Sequence, residues 1–459
     1  MPAETSFAIV GRSRPFALVS PGFEQTGADP APMTSVRHTG ISPAAPFAAV
    51  EVDVLDASSE MTAGLLTVEG NGVRVDLDAG RRRLRIVVVR DGLERTVRRA
   101  RVRDRLRRMA FVLCENRVTA VVDAGSGWQA VASERDRVAR ALDLRDPATL
   151  AAHAYAWGPT SGSAALGRVR AGPFGMVGVR DPHLVQHADG RPYLRDGRYF
   201  LTMTCAGMGF FTQAHWGVFT LDPSAPEQLT QVAHLFWHRD GLVLGDHAGQ
   251  VIVDGDTARV VVSSWGDFDP ETGVHLRYAE CGLDVLAGVH VLDSERLAAP
   301  TAHSAWDPSA TRIDGRWHLA FVESPSQSPF DFHPALAAGP PGGAWGDRLE
   351  LVGADTSLDQ CEGPVLARLE GRWRLLASDG RARRYPVYDL EMQPVGSLPA
   401  PYGTNIPHPQ LLAQPAGSAP GAPTGTGTGT ELLLTFDGSP WCTRVLGYGT
   451  HGDFIVMAR

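Results

Sequence analysis

Three acidic residues, Asp181, Asp307 and Glu362, open segments of the chain that resemble one another. The segments are RDPHLVQHADGRPYLRDGRYFLTMTC from Arg180, WDPSATRIDGRWHLAFVES from Trp306 and CEGPVLARLEGRWRLLASDG from Cys361. Each starts on an acid followed by Pro or Gly-Pro, then runs through a strand, a turn ending in Gly and a second strand carrying an aromatic residue. A weaker copy, GDHAGQVIVDGDTARVVVSSWG, begins at Gly245 and is led by Asp246-His247; a fifth begins at Ile406 and is led by His408. Carboxyl groups crowded at one site cannot all ionise: like charge and burial push their pKa values apart, so one stays protonated while another is ionised. That is the equipment of general acid–base catalysis. Cleavage of a glycosidic bond uses such a pair, one acid protonating the leaving oxygen and one carboxylate activating water or attacking the anomeric carbon.

Acids this far apart in sequence meet only if the fold brings them together. The five leading residues are spaced by 65, 61, 55 and 46 positions, the length of a four-stranded blade with its loops. Five blades set radially place the start of each innermost strand at one end of a central channel. The spacing thus predicts a five-bladed β-propeller over residues 176–459, with Asp181, Asp246, Asp307, Glu362 and His408 converging. Asp-Pro is also a common turn pair, so any one of these positions alone is weak evidence; three in phase with a repeat are not, and glutamate is a poor turn former. The tract PAGSAPGAPTGTGTGTE after Gln414 has the composition of a flexible surface loop.

Upstream the pattern differs. Residues 1–45, rich in Pro, Gly, Ser and Thr, read as an extended arm. Residues 46–175 contain short runs of alternating or β-branched residues, such as VEVDVLD, GVRVDLDA and RLRIVVVRDG, separated by turns at Gly70-Asn71-Gly72, Asp91-Gly92, Glu115-Asn116 and Gly125-Ser126-Gly127. This predicts an antiparallel β-sandwich of the concanavalin-like, jelly-roll kind. Helical periodicity appears only in ERDRVARALDL and DPATLAAHAYAW, ahead of a last strand near ALGRVRAG. The fold class is therefore all-β, a sandwich preceding a propeller.

The leading motifs, Asp181-Pro182, Asp307-Pro308 and Glu362-Gly363-Pro364, resemble those of the five-bladed propeller glycosidases, in particular glycoside hydrolase family 43, the arabinanases, arabinofuranosidases and xylosidases. The resemblance covers residues from about Gly178 onward. It implies Asp181 as general base, Asp307 as the residue that tunes pKa and orientation, and Glu362 as general acid. The activity it implies is hydrolysis of furanoside or pentopyranoside linkages with inversion. Two alternatives stay open: a retaining fructosyl hydrolase or transferase, suggested by the Cys361-Glu362 pair of the related invertase and fructanase family, and a non-catalytic carbohydrate-binding propeller. The first-blade Asn-Asp-Pro-Asn-Gly of the fructosyl enzymes is absent, and the sandwich precedes the propeller where this clan usually appends it. For His408 the resemblance implies a place near the channel, associated with a hydrated calcium ion; a hydrogen-bonded core histidine is the equal alternative.

Other candidate substrate-binding residues are Asp246, His247, Trp265, Trp306 and Arg384. Phe210, Phe211, Phe330 and Phe332 also sit in rim-type loops where a sugar ring can stack, although packing between blades accounts for most propeller aromatics. Arg383 and Arg384 read first as a solvated charged face and only second as groups that bind hydroxyls or carboxylates. The bulk composition is that of a globular chain: 459 residues, 43% hydrophobic, 20% charged and a formal net charge of -8. That balance opposes a polyanion partner such as a nucleic acid, and no apolar stretch is long enough to span a bilayer; the oligosaccharide partner is what the resemblance implies. All basic side chains among the Lys+Arg are arginine. The five cysteines, Cys114, Cys205, Cys281, Cys361 and Cys442, form no CxxC pair and read as neither a disulfide framework nor a zinc site. There is no phosphate-binding glycine loop, so no organic cofactor is expected. The N-terminal residues lack a signal-peptide pattern, which makes a cytoplasmic location the default expectation.

Overall fold

The computed structural model describes residues 6–28, 31–56, 60–413, 430–438 and 452–459. The Pro/Gly/Thr tract after Gln414 and Cys442 lie outside the described residues. The chain forms a β-sandwich followed by a five-bladed β-propeller. No described helix is long and apolar enough to cross a membrane.

The sandwich pairs a six-stranded sheet with an eight-stranded one. Alternate residues of both sheets point inward, and Val50, Val75, Ile86, Phe111, Tyr155 and Trp157 meet in one buried cluster. The opposite face of the larger sheet is apolar too. Ala49, Ala110, Val112 and Phe174 pack there against Phe236 and Val243 of the first blade, fixing the two parts together. The two short helices are Asp136–Ala141 and Pro147–Ala151. The second starts on an Asp146 cap, whose carboxylate accepts the Thr149 N–H at 2.7 Å, with Pro147 at its first position. It stops there: Ala154–Pro159, read as helical in the sequence, is a buried strand paired with Glu60–Leu66. Tyr155 and Trp157 point into the sandwich core, a tertiary demand that overrides the local pattern.

Residues 1–45, expected as an arm, supply strands to both parts. Ala17–Val19, Thr26–Ala28 and Ala31–Met33 pair with the long strand Ala164–Met176, and Arg37–His38 pairs with Ala154–Pro159. Ala8–Ser13 goes further and pairs with Asp453–Ala458, making it the outermost strand of the fifth blade. This strand from the other end of the sequence completes the fifth blade and ties the two ends of the chain together.

The innermost strands of the five blades are Val179–Leu184, His247–Asp254, Ser304–Ile313, Cys361–Leu369 and Gln410–Ala413. Side chains near the axis tie neighbouring blades. Leu184 N donates to Gln410 Oε1 at 3.2 Å, Thr202 Oγ1 to the Gly249 carbonyl at 3.2 Å, Ala310 N to Gln250 Oε1 at 2.6 Å and Leu366 N to Ser309 Oγ at 3.2 Å. Backbone groups at the bulged starts of the strands are satisfied in this way, and the angular position of each blade is fixed.

Candidate active site

Each of the first four innermost strands begins with a β-bulge. Register slips by one residue between Arg180 and His183, His247 and Gly249, Trp306 and Ser309, and Glu362 and Val365. The bulged residue has a positive φ in every case: 50° at Asp181, 57° at Ala248, 52° at Asp307 and 62° at Gly363. Pro182, Pro308 and Pro364, which follow three of the four bulged residues, have no N–H to give the ladder, and the bulge re-aims the side chains beside it toward the channel end. Non-glycine residues held in this region are strained, a feature that clusters at functional sites.

Asp181 and Asp307 therefore occupy equivalent bulge positions, and Glu362 stands one residue earlier in its blade. Gly363 takes the bulge there for a steric reason: a Cβ on it would lie 2.4 Å from the His408 ring. The Asp307 carboxylate accepts the Gly363 N–H at 3.1 Å, while its own N–H donates to Ser263 Oγ at 3.0 Å. His408 Nε2 faces Asp307 at 3.4 Å and Asp181 at 3.7 Å. The Trp306 indole N–H donates to Glu362 Oε1 at 3.2 Å. Asp181 and Asp307 are buried, whereas Glu362 keeps part of its surface open. The structure thus brings together Asp181, Asp307, Glu362, Trp306 and His408.

Electrostatics separate the acids. Burial, then the neighbouring Glu362 and Asp181 charges, hold the Asp307 carboxyl well above the ordinary aspartate range. Burial and the Asp181 charge push Glu362 up to about 7, against the smaller opposing pull of Arg180 and of the Trp306 hydrogen bond. Burial lowers His408 to about 4, leaving it neutral at neutral pH despite Asp181. Arg180, not singled out from the sequence, is the nearest cation. It lies 3.9 Å from Asp181, donates to the Asn405 carbonyl at 3.2 Å and sits 4.6 Å over the Phe436 ring.

Asp246 is not among the converging acids. Arg239 grips it through Nε at 2.6 Å and Nη2 at 2.9 Å, and Gly266 N donates to it at 2.8 Å. The second-blade bulge position in phase with Asp181 belongs to Ala248, two residues on. His247 is fully buried, its Nδ1 2.9 Å from the Gly245 carbonyl. Arg384 lies on the rim of the fourth blade, 3.3 Å from Asp379. Arg383 beside it donates to the carbonyls of Tyr402 and Gly403.

The connections from second to third strand surround the acids, because those strands end beside the starts of the innermost ones. They carry Phe210 and Phe211 in blade one, Trp265 and Phe268 in blade two and Arg383 and Arg384 in blade four. In blade three the connection leads directly to Phe330. Trp265 and Trp306 are buried among other rings, Trp306 meeting Trp265 at 5.4 Å and Phe332 at 5.6 Å, so Trp306 presents its N–H rather than its face. Phe210 and Phe330 are exposed, and Phe211 and Phe268 are half-buried. Phe268 was not among the aromatic residues singled out from the sequence.

Below the acids the channel narrows between Pro182, His183, Ala248, Pro308, Pro364 and His408 to a space of about 10 Å³. One water fits there, and buried His183 Nε2 has no hydrogen-bond partner. Calcium takes six to eight oxygen ligands or waters, and Asp181 and Asp307 line this space together with His408. Among the described residues no group of three or more metal-ligating side chains is placed to hold a metal ion.

No protein-family model and no curated protein sequence matches the chain. Solved structures with related shape include inulosucrase from Halalkalicoccus jeotgali bound to kestose, 13% identical over 57% of this chain and 76% of that one, with a TM-score of 0.40. The GH43_1 enzyme from Xanthomonas citri is 15% identical over 61% of this chain and 87% of its own, with a TM-score of 0.41. Bacillus subtilis levansucrase is 10% identical over 60% and 83%, with a TM-score of 0.43. The architecture rests on the chain's own sheets and registers.

Proposed function

We propose that the chain is a glycoside hydrolase in which Glu362 protonates the leaving oxygen and Asp181 acts as base. The carrying observation is the cluster itself: three carboxyls from three blades meet at one channel end, and Glu362, held by Trp306, is pushed up to about 7. A carboxyl titrating there is still substantially protonated near neutral pH, which suits a general acid. In the proposed reaction Glu362 gives its proton to the glycosidic oxygen as the bond to the anomeric carbon breaks. Water attacks that carbon from the other face and gives a proton to Asp181, so atoms and charge balance, and solvent exchange restores both carboxyls. Asp307 is a positioning residue: it ties the Gly363 backbone beside Glu362 and faces His408. The proposed substrates are furanosides or pentopyranosides of the arabinose and xylose type, cleaved with inversion. Localisation in the cytoplasm remains part of this proposal, with short oligosaccharides as the fitting substrates.

The test is product release from α-arabinofuranoside, β-xyloside, sucrose and a short fructan by wild-type protein and Glu362→Gln. Turnover of a pentoside that is lost in the variant supports the proposal. Fructose release with a trapped covalent intermediate transfers the assignment to a retaining fructosyl enzyme. No turnover by folded wild-type protein overturns the hydrolase reading in favour of a binding propeller.

A further inference from the structure

The sandwich meets the propeller beside the rim of its acidic end, and a second cleft lies in the seam. Its volume is about 250 Å³. From the sandwich come Glu115 and Asn116 of the turn after Arg108–Cys114, with Arg135, Asp136 and Ala139 of the first helix. From the propeller come Thr212 and Gln213 in the blade-one rim loop and Gly266, Asp267 and Phe268 in the blade-two rim loop.

The walls are fixed. Met208 N lies 3.5 Å from Cys114 Sγ, Val243 N donates to the Arg145 carbonyl at 2.8 Å, and Gly245 N donates to Glu115 Oε1 at 2.9 Å. Glu115 is only 3% exposed, yet its second oxygen, Oε2, is buried without a hydrogen-bond partner. An orphaned polar atom in a rigid, buried place is costly unless something arrives to pair with it. Burial holds the Glu115 carboxyl well above the ordinary glutamate range, a trend the Asp246 and Asp267 charges reinforce and the Gly245 N–H and Arg145 oppose. The free oxygen can accept a hydrogen bond, and a carboxyl that takes up a proton can also donate one.

The other lining groups say what kind of ligand suits it. Arg145 is already held by Asp143, and Arg135 by Asp136, while Asp267 pairs with Arg239. Each guanidinium already has a carboxylate partner, which disfavours an anion here. What remains is the unpartnered Glu115 oxygen, the Thr212 hydroxyl and the half-buried face of Phe268. Hydroxyl-bearing rings with an apolar face match that set. The cleft also connects to the acids: Phe268 packs on Trp265 at 5.7 Å, Trp265 on Trp306 at 5.4 Å, and Trp306 bonds Glu362.

We propose that this seam is an accessory carbohydrate subsite, in which Glu115 of the sandwich hydrogen-bonds a hydroxyl of an uncharged sugar unit stacked on Phe268. The identification of the ring as a sugar rests on the hydrolase reading; the site itself does not. The sandwich on this account extends the binding cleft of the propeller beyond the sugar at the acids.

Calorimetric titration of Glu362→Gln protein, which is not expected to consume its ligand, tests the subsite with xylopentaose, arabinopentaose and a fructan pentasaccharide as probes. At least one probe is expected to bind, with affinity at least tenfold weaker when Glu115→Met or Phe268→Ala is added. Adding Glu115→Gln, which keeps a carbonyl for Gly245 N–H and a donor for the ligand, should hold affinity within threefold. Ala139→Trp, which fills the cleft from the partly exposed helix, gives the same tenfold loss and guards against misfolding of the Glu115 variant. Equal binding in all variants, or binding of no probe, overturns the subsite. Wild-type turnover of the same pentasaccharides, followed separately, distinguishes this failure from failure of the hydrolase reading: cleavage with cleft-insensitive binding sinks only the subsite, and cleft-sensitive binding without cleavage sinks only the hydrolase.

Discussion

Asp246 and Asp307 are the same residue type, both buried and both near the start of an innermost propeller strand, yet their surroundings oppose each other. In the second blade Arg239 bonds Asp246 at two points and also pairs with Asp240 and Asp267, so a cation answers the acids. At the channel end Asp307 faces two more carboxyls and a histidine held neutral by burial. One cluster is arranged for satisfied charge and the other for charge that is left unsettled. Buried ion pairs serve structure when every group is answered, whereas carboxyls with split pKa values are what acid–base chemistry requires. The comparison teaches that a repeat marks where side chains converge, and the neighbouring cations decide what they do there.

The same substitution at both sites should give opposite results. Asp246→Asn weakens the anchor of a buried Arg239 and is expected to cost about 3–5 kcal/mol in denaturant unfolding. Asp307→Asn removes a carboxyl whose folded pKa is raised, and at pH 8 it should leave stability unchanged or higher. A large loss in both variants would erase the distinction between the clusters. A smaller effect follows from Glu362. Its folded pKa of about 7 lies above its ordinary value of 4.5, so its stabilising effect is full below about 4.5 and lost as pH rises through about 7. Glu362→Gln should therefore raise the melting temperature more at pH 8 than at pH 4.5; a pH-independent change would contradict the raised value.

The seam behind the first blade offers a third contrast, with buried histidines in place of acids. His215 Nε2 lies 3.1 Å from His234 Nδ1, and His234 Nε2 lies 2.9 Å from Ser20 Oγ, under the rings of Phe47 and Phe236. Burial lowers His215 well below its usual 6.5 and His234 to about 3. The unfolded chain takes up these protons first, so stability is full above about pH 6.5 and falls as pH drops toward 3. His215→Phe should flatten that slope between pH 7 and 4, as read by urea midpoints; an unchanged slope would assign acid sensitivity to other groups. The smallest effect lies on the outer sheet of the sandwich, where Arg101 stands directly across from Arg83. Like charges in that position oppose pairing, and Arg101→Thr is expected to add about 0.5 kcal/mol, measurable as a shifted urea midpoint.

The repeat, the five blades and the three acids were legible because glycine turns, Pro after the acid and alternating strands are local signals. Register was less so. Asp246 matched the repeat by type, but the bulge in its blade falls on Ala248, and nothing local told that Arg239 claims the acid. Ala8–Ser13 could not be assigned to the fifth blade because its partner lies at the other end of the chain. The helical reading of AHAYAW failed where Tyr155 and Trp157 are drawn into the sandwich core. Glu115 looked like a turn residue, which it is; its burial against the propeller comes only from docking of the two parts. Phe268 was hidden in the same way.

Proton donation by Glu362 to the leaving group can be tested directly. Turnover by wild type and Glu362→Gln should be compared on a pentoside with an alkyl or sugar leaving group and on the dinitrophenyl glycoside of the same sugar, whose leaving group needs no proton. If Glu362 is the proton donor, the loss is about 10²–10⁴-fold on the first and less than about tenfold on the second, with the wild-type activity on the first falling as pH rises through about 7. Equal losses on both substrates, or full activity of the variant on the first, would contradict that role.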